Sequence, residues 1–344
     1  MTKESRPGAR GAAAVICGIG YWLPPLVVTN ADLCSRLDTS EEWITSRTGI
    51  STRRKVTPDI TTADLATAAA ERALKSAGGG DIQALVLATT TPDRRCPATA
   101  PEVAARLGLG SIAAFDVSAV CSGFLYALAT GAGFLAAGLA ERVMVVAAES
   151  FSILLDPDDR STVPIFGDGG GAIVLRQGTP DEPGAVGDIV LGSDGSRSDM
   201  IRVGAAGRRG ALENRPGSGT TQYFQMAGRE VFRHAVERMS AAATAAVESA
   251  GWSLDDVDRF YAHQANARIT SAVGNELGIP ADRLAENIRD IGNTAAASIP
   301  ILLAQTAANG FLVAGHRVLM AAFGGGLTWG ATTLTWPQIE VVTE

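Results

Sequence analysis

Cys121 stands inside "AFDVSAVCSGFLYALATG" (residues 114–131), where a short apolar run gives way to a long run of small and apolar residues. Such a cysteine has two readings. It is a small hydrophobe in a core, or a nucleophile at the start of a buried helix. A helix that directly follows a strand turns its free N–H groups toward the strand's C-terminal edge. Ligands of parallel α/β sheets gather at that edge, and a thiol there lies in a field that favours thiolate. A thiol nucleophile further needs a base or cation and a group that orients it. The chain has three histidines. His234, in "REVFRHAVERM", falls on a charged amphipathic helix. His316, in "AGHRVLM", falls in a loop entering a strand, and both read as structural. His263, in "DDVDRFYAHQANARI", ends an apolar strand as Cys121 does. Asn293, in "IRDIGNTAAAS", directly precedes a second uncharged stretch, where a lone asparagine reads as a helix cap. Gly325, in "MAAFGGGLTWG", ends the last strand. The three glycines there make either a tight turn or a segment whose backbone can approach a ligand closely. Cys, His, Asn and glycine-rich backbone thus all fall at strand ends, and their joint occurrence is harder to assign to chance than any one of them.

The elements that must position these residues are legible as a weak internal repeat. "AERALKSAGGGDIQALVLATT" (70–90) and "ATAAVESAGWSLDDVDRFYAHQ" (243–264) each read as a helix with an Ala-Gly stop, a short acidic loop and a strand. "SIAAFDVSAVC" and "RLAENIRDIGN" each precede an uncharged stretch, and "ERVMVVAAES" and "HRVLMAAFGGG" each supply a further strand. The βαβ rhythm predicts an α/β fold with mostly parallel sheet. The turn-rich "RQGTPDEPGAVGD" divides the chain near residue 180 into halves 1–180 and 181–344. The two uncharged stretches, 117–140 and 293–315, are long enough to raise the question of a membrane. Four glycines in the first, Pro300, Gln305 and Asn309 in the second, and the lack of aromatic belts and basic flanks argue against it. A helix apolar all round is otherwise buried on every side, so the two are expected to pack together between two sheets.

Composition narrows the function classes. At 344 residues with 46% apolar content, the chain suits a globular protein of two domains or of two halves sharing one core. Charged residues are only 19%, below the usual quarter, which fits surface buried between subunits. A net charge of −7 argues against general nucleic-acid binding. Cys17, Cys34, Cys96 and Cys121 lack CxxC spacing and read as thiols with no zinc site. The opening "MTKESRPGARGAA" reads as a flexible lead-in and not as a signal peptide, so the expected location is cytoplasmic. "FGDGGG" (166–171) lacks the Lys-Ser/Thr of a phosphate loop and leads into the strand "AIVL". Phe166 and these glycines are expected to form a pocket wall instead.

Taken together, "DVSAVCSGFLYAL", "HQANARI", "GNTAAASIP" and "FGGGLTWG" resemble the β-ketoacyl-acyl-carrier-protein synthase III enzymes of the thiolase superfamily, as do "TNADL", "TSEEWITSRTGI", "DPDDRST" and "FGDGGGAIVL". The resemblance runs in order from about residue 14 to residue 337. It implies a five-layer αβαβα thiolase fold of two pseudo-equivalent halves, usually a homodimer, with a triad at Cys121, His263 and Asn293. It implies a decarboxylating condensation of an acyl-coenzyme A primer with malonyl-acyl-carrier protein, starting fatty acid or polyketide chains, with no cofactor beyond the thioester substrate. The Cys121 and Gly325 N–H groups would form the oxyanion hole. Trp43, Arg47, Arg160, Gly228 and Asn266 match positions for the coenzyme A adenine, phosphates and pantetheine; stacking and guanidinium–phosphate pairing suit the first two. Cys96 and Phe166 match the acyl pocket, Cys96 across the dimer, where a small side chain leaves room for primers longer than acetyl or branched. A basic patch for an acidic carrier is expected at Arg229, Arg233 and Arg268, although "TSAVGNELG" lacks lysines that some relatives carry. Acyl transfer to an alcohol or amine without condensation, and a non-catalytic carrier-binding subunit, are the other readings.

Overall fold

The computed structural model describes residues 13–204 and 222–343; the lead-in expected before them lies outside these residues. Two sheets organise the chain. The first carries, in order across it, Ala13–Trp22, Gly169–Gly178, Arg142–Glu149, Ala84–Ala88 and Ala113–Val117. The second carries Arg259–Ala262, Arg317–Gly324, Thr328–Thr335 and Val190–Ser193.

The central strands are apolar on both faces because both faces are covered. Val86 packs into the central core, while its neighbours Leu85 and Leu87 pack outward beneath the helix Thr62–Ser76. In the second sheet Val318, Met320 and Ala322 face the centre, and Leu319, Ala321 and Phe323 face the helices Gly228–Ser249 and Ala267–Glu276. Between the sheets lie the helices Gly123–Ala136 and Ser298–Ala308. Helix, sheet, helix pair, sheet and helix pair make the five layers.

The expectation of mostly parallel sheet needs correction. Ala84–Ala88 runs parallel to both of its neighbours and Arg259–Ala262 runs parallel to Arg317–Gly324, but the other four ladders are antiparallel. Thr328–Thr335 follows its partner after only three residues, too short a connection for a parallel crossover.

The two central helices begin alike. Each is entered through one tight turn, Val120–Ser122 or Ala295–Ala297. The first residue of each turn has a left-handed backbone, Val120 at φ 47° and Ala295 at φ 46°, a costly state for a side chain with a Cβ. The two turns meet across the centre: a Cβ on Gly123 would stand 3.3 Å from that of Ala296 and 3.2 Å from that of Ala88. Placement between the sheets explains why these stretches lack charge. They are 14 and 11 residues long, and among the described residues no helix is long and apolar enough to cross a membrane.

Packing against Ser298–Ala308 is close enough to exclude even a methyl group at Gly171, whose Cβ would lie 2.8 Å from Pro300 Cβ and 2.9 Å from the Ile301 nitrogen. Gly171→Ala should destabilise the fold by about 1–3 kcal/mol through overpacking, seen as a lower urea midpoint with an unchanged slope.

Candidate active site

Cys121 lies in the turn after Ala113–Val117, partly exposed and packed against an apolar cluster that contains Phe166 and Phe224. His263 follows Arg259–Ala262 directly and is anchored through its N–H to the Ala321 carbonyl at 2.8 Å. Asn293 is clamped by the "FGDGGG" segment. Its N–H donates to Ile165 O at 2.9 Å, and its carbonyl accepts from Gly167 N–H at 2.9 Å. Gly167 has no space for a side chain, since a Cβ would sit 2.1 Å from Ile291 O. The motif thus supplies a wall through Phe166, as expected, and in addition fixes the backbone of Asn293.

Cys121, His263, Asn293 and Phe166 line one inner chamber of about 40 Å³. The Asn293 Oδ1 accepts from the Ala295 N–H at 2.9 Å, which turns its amide N–H groups to the other side. This is a local turn bond two residues along and not the helix cap foreseen for a lone asparagine, since Ala297 is the N-cap of Ser298–Ala308; it is what orients the amide. His263 Nδ1 lies 2.7 Å from Ser298 Oγ, which in turn accepts from the Gln264 N–H at 3.4 Å. Its Nε2 is buried without a hydrogen-bond partner among the described residues. The glycine run comes against the nucleophile: a Cβ on Gly324 would lie 2.7 Å from the Cys121 nitrogen. Only glycine lets the backbone that carries Gly325 approach Cys121 so closely.

An outer vestibule of about 590 Å³ adjoins the chamber and shares Phe166, Met226, Val231, Ala265, Ile269 and Asn293 with it. Arg47, Gly228, Arg229, Asn266 and Arg268 line this vestibule. Among the described residues no atom lies within 4 Å of a Cβ placed on Gly228. Asn266 is already engaged, capping Ala267–Glu276 through Arg268 N–H and donating to the Arg47 carbonyl at 3.0 Å. Trp43 and Arg160 do not line the vestibule; the Arg160 guanidinium lies over the Trp43 ring at 5.4 Å and donates to the Asp38 carbonyl at 2.6 Å. Arg233 lies outside the vestibule beside the buried His234, at 3.3 Å. Cys96 is exposed and lines neither space in its own chain. His316 accepts from the Val313 N–H in its loop.

Two family models match the sequence: "3-Oxoacyl-[acyl-carrier-protein (ACP)] synthase III" over residues 115–195 and "3-Oxoacyl-[acyl-carrier-protein (ACP)] synthase III C terminal" over residues 247–336. A β-ketoacyl-acyl-carrier-protein synthase III from Streptomyces coelicolor is 55% identical over 334 residues, covering 96% of this chain and 99% of the relative. The chain belongs to the β-ketoacyl-acyl-carrier-protein synthase III family. The crystal structure of the Pseudomonas aeruginosa PAO1 synthase III superposes with a TM-score of 0.90 at 45% identity, covering 95% of this chain and 99% of that one. The priming β-ketosynthase of the R1128 polyketide pathway gives 0.89 at 34%, covering 98% and 100%. The five layers described above are thus the thiolase fold of these synthases.

The electrostatics of this synthase site depart from expectation. The sequence places Cys121 in a field that lowers its pKa, but burial pushes the thiol up, and Glu149 raises it further. The helix proper begins only at Gly123, so the thiol stands before the helix end in an apolar enclosure. Burial also pushes His263 down to about 3. At neutral pH the resting pair is therefore an uncharged thiol and an uncharged imidazole.

Three positions escaped the sequence reading. Ser298, the first residue of its helix, holds His263 Nδ1. Thr328 Oγ1 lies 2.9 Å from Gly325 O, 3.1 Å from Ala119 O and 2.7 Å from Ser122 Oγ, tying the glycine run to the Cys121 turn. Glu149 is wholly buried, accepts from the Thr90 N–H and the Thr91 hydroxyl at 3.0 Å, and is pushed up to about 7 by burial. A serine or a glutamate carries no local signal of such a role, because the partners are supplied by other strands.

Ser298→Ala should lower kcat for condensation about tenfold to a hundredfold, less than the roughly 2.7–4 kcal/mol of a lost donor. The KM for primer should hold and Ser298→Thr should restore most of kcat, as steady-state kinetics would report. Folded Glu149 keeps its proton up to about pH 7 and the unfolded carboxyl loses it near 4.5, so its contribution to stability falls as pH rises through that window. Folded His263 stays neutral to about pH 3, whereas the unfolded imidazole gains a proton below 6.5, so stability also falls as pH drops from 6.5. On these two groups alone, wild-type stability is flat between 4.5 and 6.5. Glu149→Gln leaves only the histidine, so urea denaturation of that variant should show stability rising with pH there, by about 1.4 kcal/mol per unit.

Proposed function

We propose that the chain carries out decarboxylative Claisen condensation of an acyl-coenzyme A primer with malonyl-acyl-carrier protein, giving a β-ketoacyl-carrier protein that starts a fatty acid or polyketide chain. In the first stage Cys121 Sγ attacks the thioester carbonyl, the carbon–sulfur bond to coenzyme A breaks, and the thiol proton leaves with the coenzyme A sulfur. The Cys121 and Gly325 N–H groups serve the oxyanion. In the second stage the malonyl carboxylate departs as carbon dioxide. The resulting enolate attacks the acyl carbonyl, and Cys121 regains a proton from solvent. Electrons stay within the substrates, so the scheme calls for no redox or metal cofactor.

One observation carries this reading: the Asn293 amide, with its oxygen held by Ala295, and the unpartnered His263 Nε2 stand in the same small chamber as the thiol. Two N–H donors are what a developing enolate oxygen requires. When the Ser298 hydroxyl donates to Nδ1, Nε2 carries the proton and is such a donor. When it accepts from Nδ1, Nε2 presents a lone pair to the Cys121 thiol. A hydroxyl can do either, so one serine supports both stages. The long arm of the substrate fits the vestibule, with Arg47 toward the phosphates and Gly228 leaving space for pantetheine, and Trp43 and Arg160, outside the vestibule lining, toward the adenine. Arg229 and Arg268 at the vestibule, with Arg233 on the same helix as Arg229, suit an acidic carrier. The half-exposed edge strand Ala113–Val117 supports a homodimer, since an open edge invites pairing. A cytoplasmic location suits these substrates.

Trapping of labelled carbon dioxide from malonyl-carrier tests the scheme. Wild type should release it with a matching β-keto product, and Asn293→Asp should lose release by about a hundredfold or more, since an acceptor and a charge replace the donor. Acylation of Cys121 in that variant should persist. An ester or amide product without carbon dioxide would show plain acyl transfer instead.

A further inference from the structure

Arg53 is wholly buried on the short strand Thr52–Lys55. Its guanidinium reaches three separate segments. Nη1 donates to the Val28 carbonyl at 3.1 Å, and Nη2 donates to Asn30 Oδ1 at 2.7 Å and to the Pro164 carbonyl at 2.9 Å. All three acceptors are uncharged, and among the described residues Nε has no partner. Asp32 attracts the group from the exposed cap of the following helix, but makes its own hydrogen bonds to Thr29. Burial pushes the guanidinium down to about 10, so it is charged at neutral pH. A buried charge without a bonded counter-ion is costly, and an apolar side chain of similar volume is often as stable or more so. Stability alone therefore does not account for Arg53. What a guanidinium adds is direction, because its planar fork fixes several acceptors at once.

Two of these acceptors lead to the two compartments. Toward the vestibule, Asn30 Nδ2 donates to Thr45 Oγ1 at 3.2 Å and to the Ile50 carbonyl at 2.9 Å. Thr45 lies on the helix Glu41–Thr48, which carries Trp43 and Arg47. Toward the chamber, Pro164 directly precedes the segment Ile165–Gly167 whose backbone clamps Asn293. The strand is also stitched to the approach to Asn293, with the Ser51 N–H on the Arg289 carbonyl at 2.8 Å and Thr52 Oγ1 on the Asp290 carbonyl at 2.7 Å. Gly292 packs on Arg53 itself, since a Cβ there would stand 2.9 Å from Arg53 Cβ. One side chain thus joins the helix that carries Arg47 to the backbone that holds the Asn293 amide.

We propose that Arg53 is a positioning residue that holds the helix Glu41–Thr48 and the Asn293 amide in one register, so that a thioester arm seated at Arg47 brings its reacting carbonyl to that amide. This rests on the reading of Arg47 and Asn293 given above. The test takes three readouts from the full-length protein. They are the KM for acetyl-coenzyme A in acylation of Cys121, the release of labelled carbon dioxide from saturating malonyl-carrier by the acylated enzyme, and the alkylation of Cys121 by iodoacetamide, followed by mass spectrometry of its peptide. Arg53→Lys keeps the charge and loses the fork. It should raise that KM about fivefold or more and cut carbon dioxide release about tenfold to a hundredfold, the scale of a small misplacement. Alkylation should stay within about twofold of wild type, since the Cys121 turn needs no help from Arg53 to expose its sulfur. Asn30→Ala cuts only the link to the helix and should raise the KM while release stays near wild type. Arg53→Met gives the same readouts if the lysine variant does not fold. A merely structural arginine would lower the urea midpoint and leave KM and release per folded molecule unchanged. That result, a loss confined to one of the two readouts in Arg53→Lys, or an equal loss of alkylation overturns the positioning role alone. An Asn30→Ala variant without the split overturns the link through Asn30. No carbon dioxide from wild type overturns the condensation reading and this proposal with it.

Discussion

The meeting of two backbone turns at the centre of the protein is the constraint on which the site depends. Val120–Ser122 and Ala295–Ala297 touch end to end between the sheets, each held in a left-handed state at its first residue. That state is unfavourable in isolation and persists because the surroundings over-determine it. One turn carries Cys121, and the other immediately follows Asn293 and leads into Ser298. A shift of either helix would move the sulfur relative to the amide and the imidazole, because the same contacts that seat the helices place the functional groups. Small residues occupy these contacts because nothing larger lets two backbones come so near.

Burial gives this arrangement its chemical character. The enclosure disfavours charge, so the thiol and the imidazole each rest in their neutral forms, and Glu149 nearby is shifted toward its protonated form. In the proposed reaction charge appears only as the substrate reacts, where fixed N–H groups act with little competing water. The hydrogen bonds that set this up come from outside the triad: Ala295 orients the Asn293 amide, Ser298 holds the His263 ring, and Thr328 ties the glycine run to the Cys121 turn.

Size discriminates between the two compartments. The vestibule is large, lined in part by arginines, and suited to a long anionic arm; the chamber below is small and walled by aromatic rings. A substrate with a long polar handle and a short reactive end matches this shape. The vestibule is broad enough for a long arm, while the rings of Phe166 and Phe224 bound only the space beside Cys121.

Much of this was legible in the chain. The two uncharged stretches, the apolar strands and the placement of Cys121 and His263 after strands follow from the spacing of residue types, which is a local property, whereas Asn293, expected at a strand end, follows the short helix Ile288–Ile291. The glycine run before Leu327 likewise announced a close backbone approach. Other features were not, because they arise between residues far apart. Phe224 is unremarkable in its own segment, and the wall it makes with Phe166 exists only where the two distant segments meet. The rise in the Cys121 pKa reverses what its position after a strand suggests, since its first cause is burial in an enclosure that the whole fold supplies. Strand direction, too, followed the length of the connections more than the rhythm of the elements. Residue order therefore established which groups could react and on which elements they stand, because those depend on neighbours in the chain; folding set their protonation, their orientation and the space left for substrate, because these depend on contacts across it.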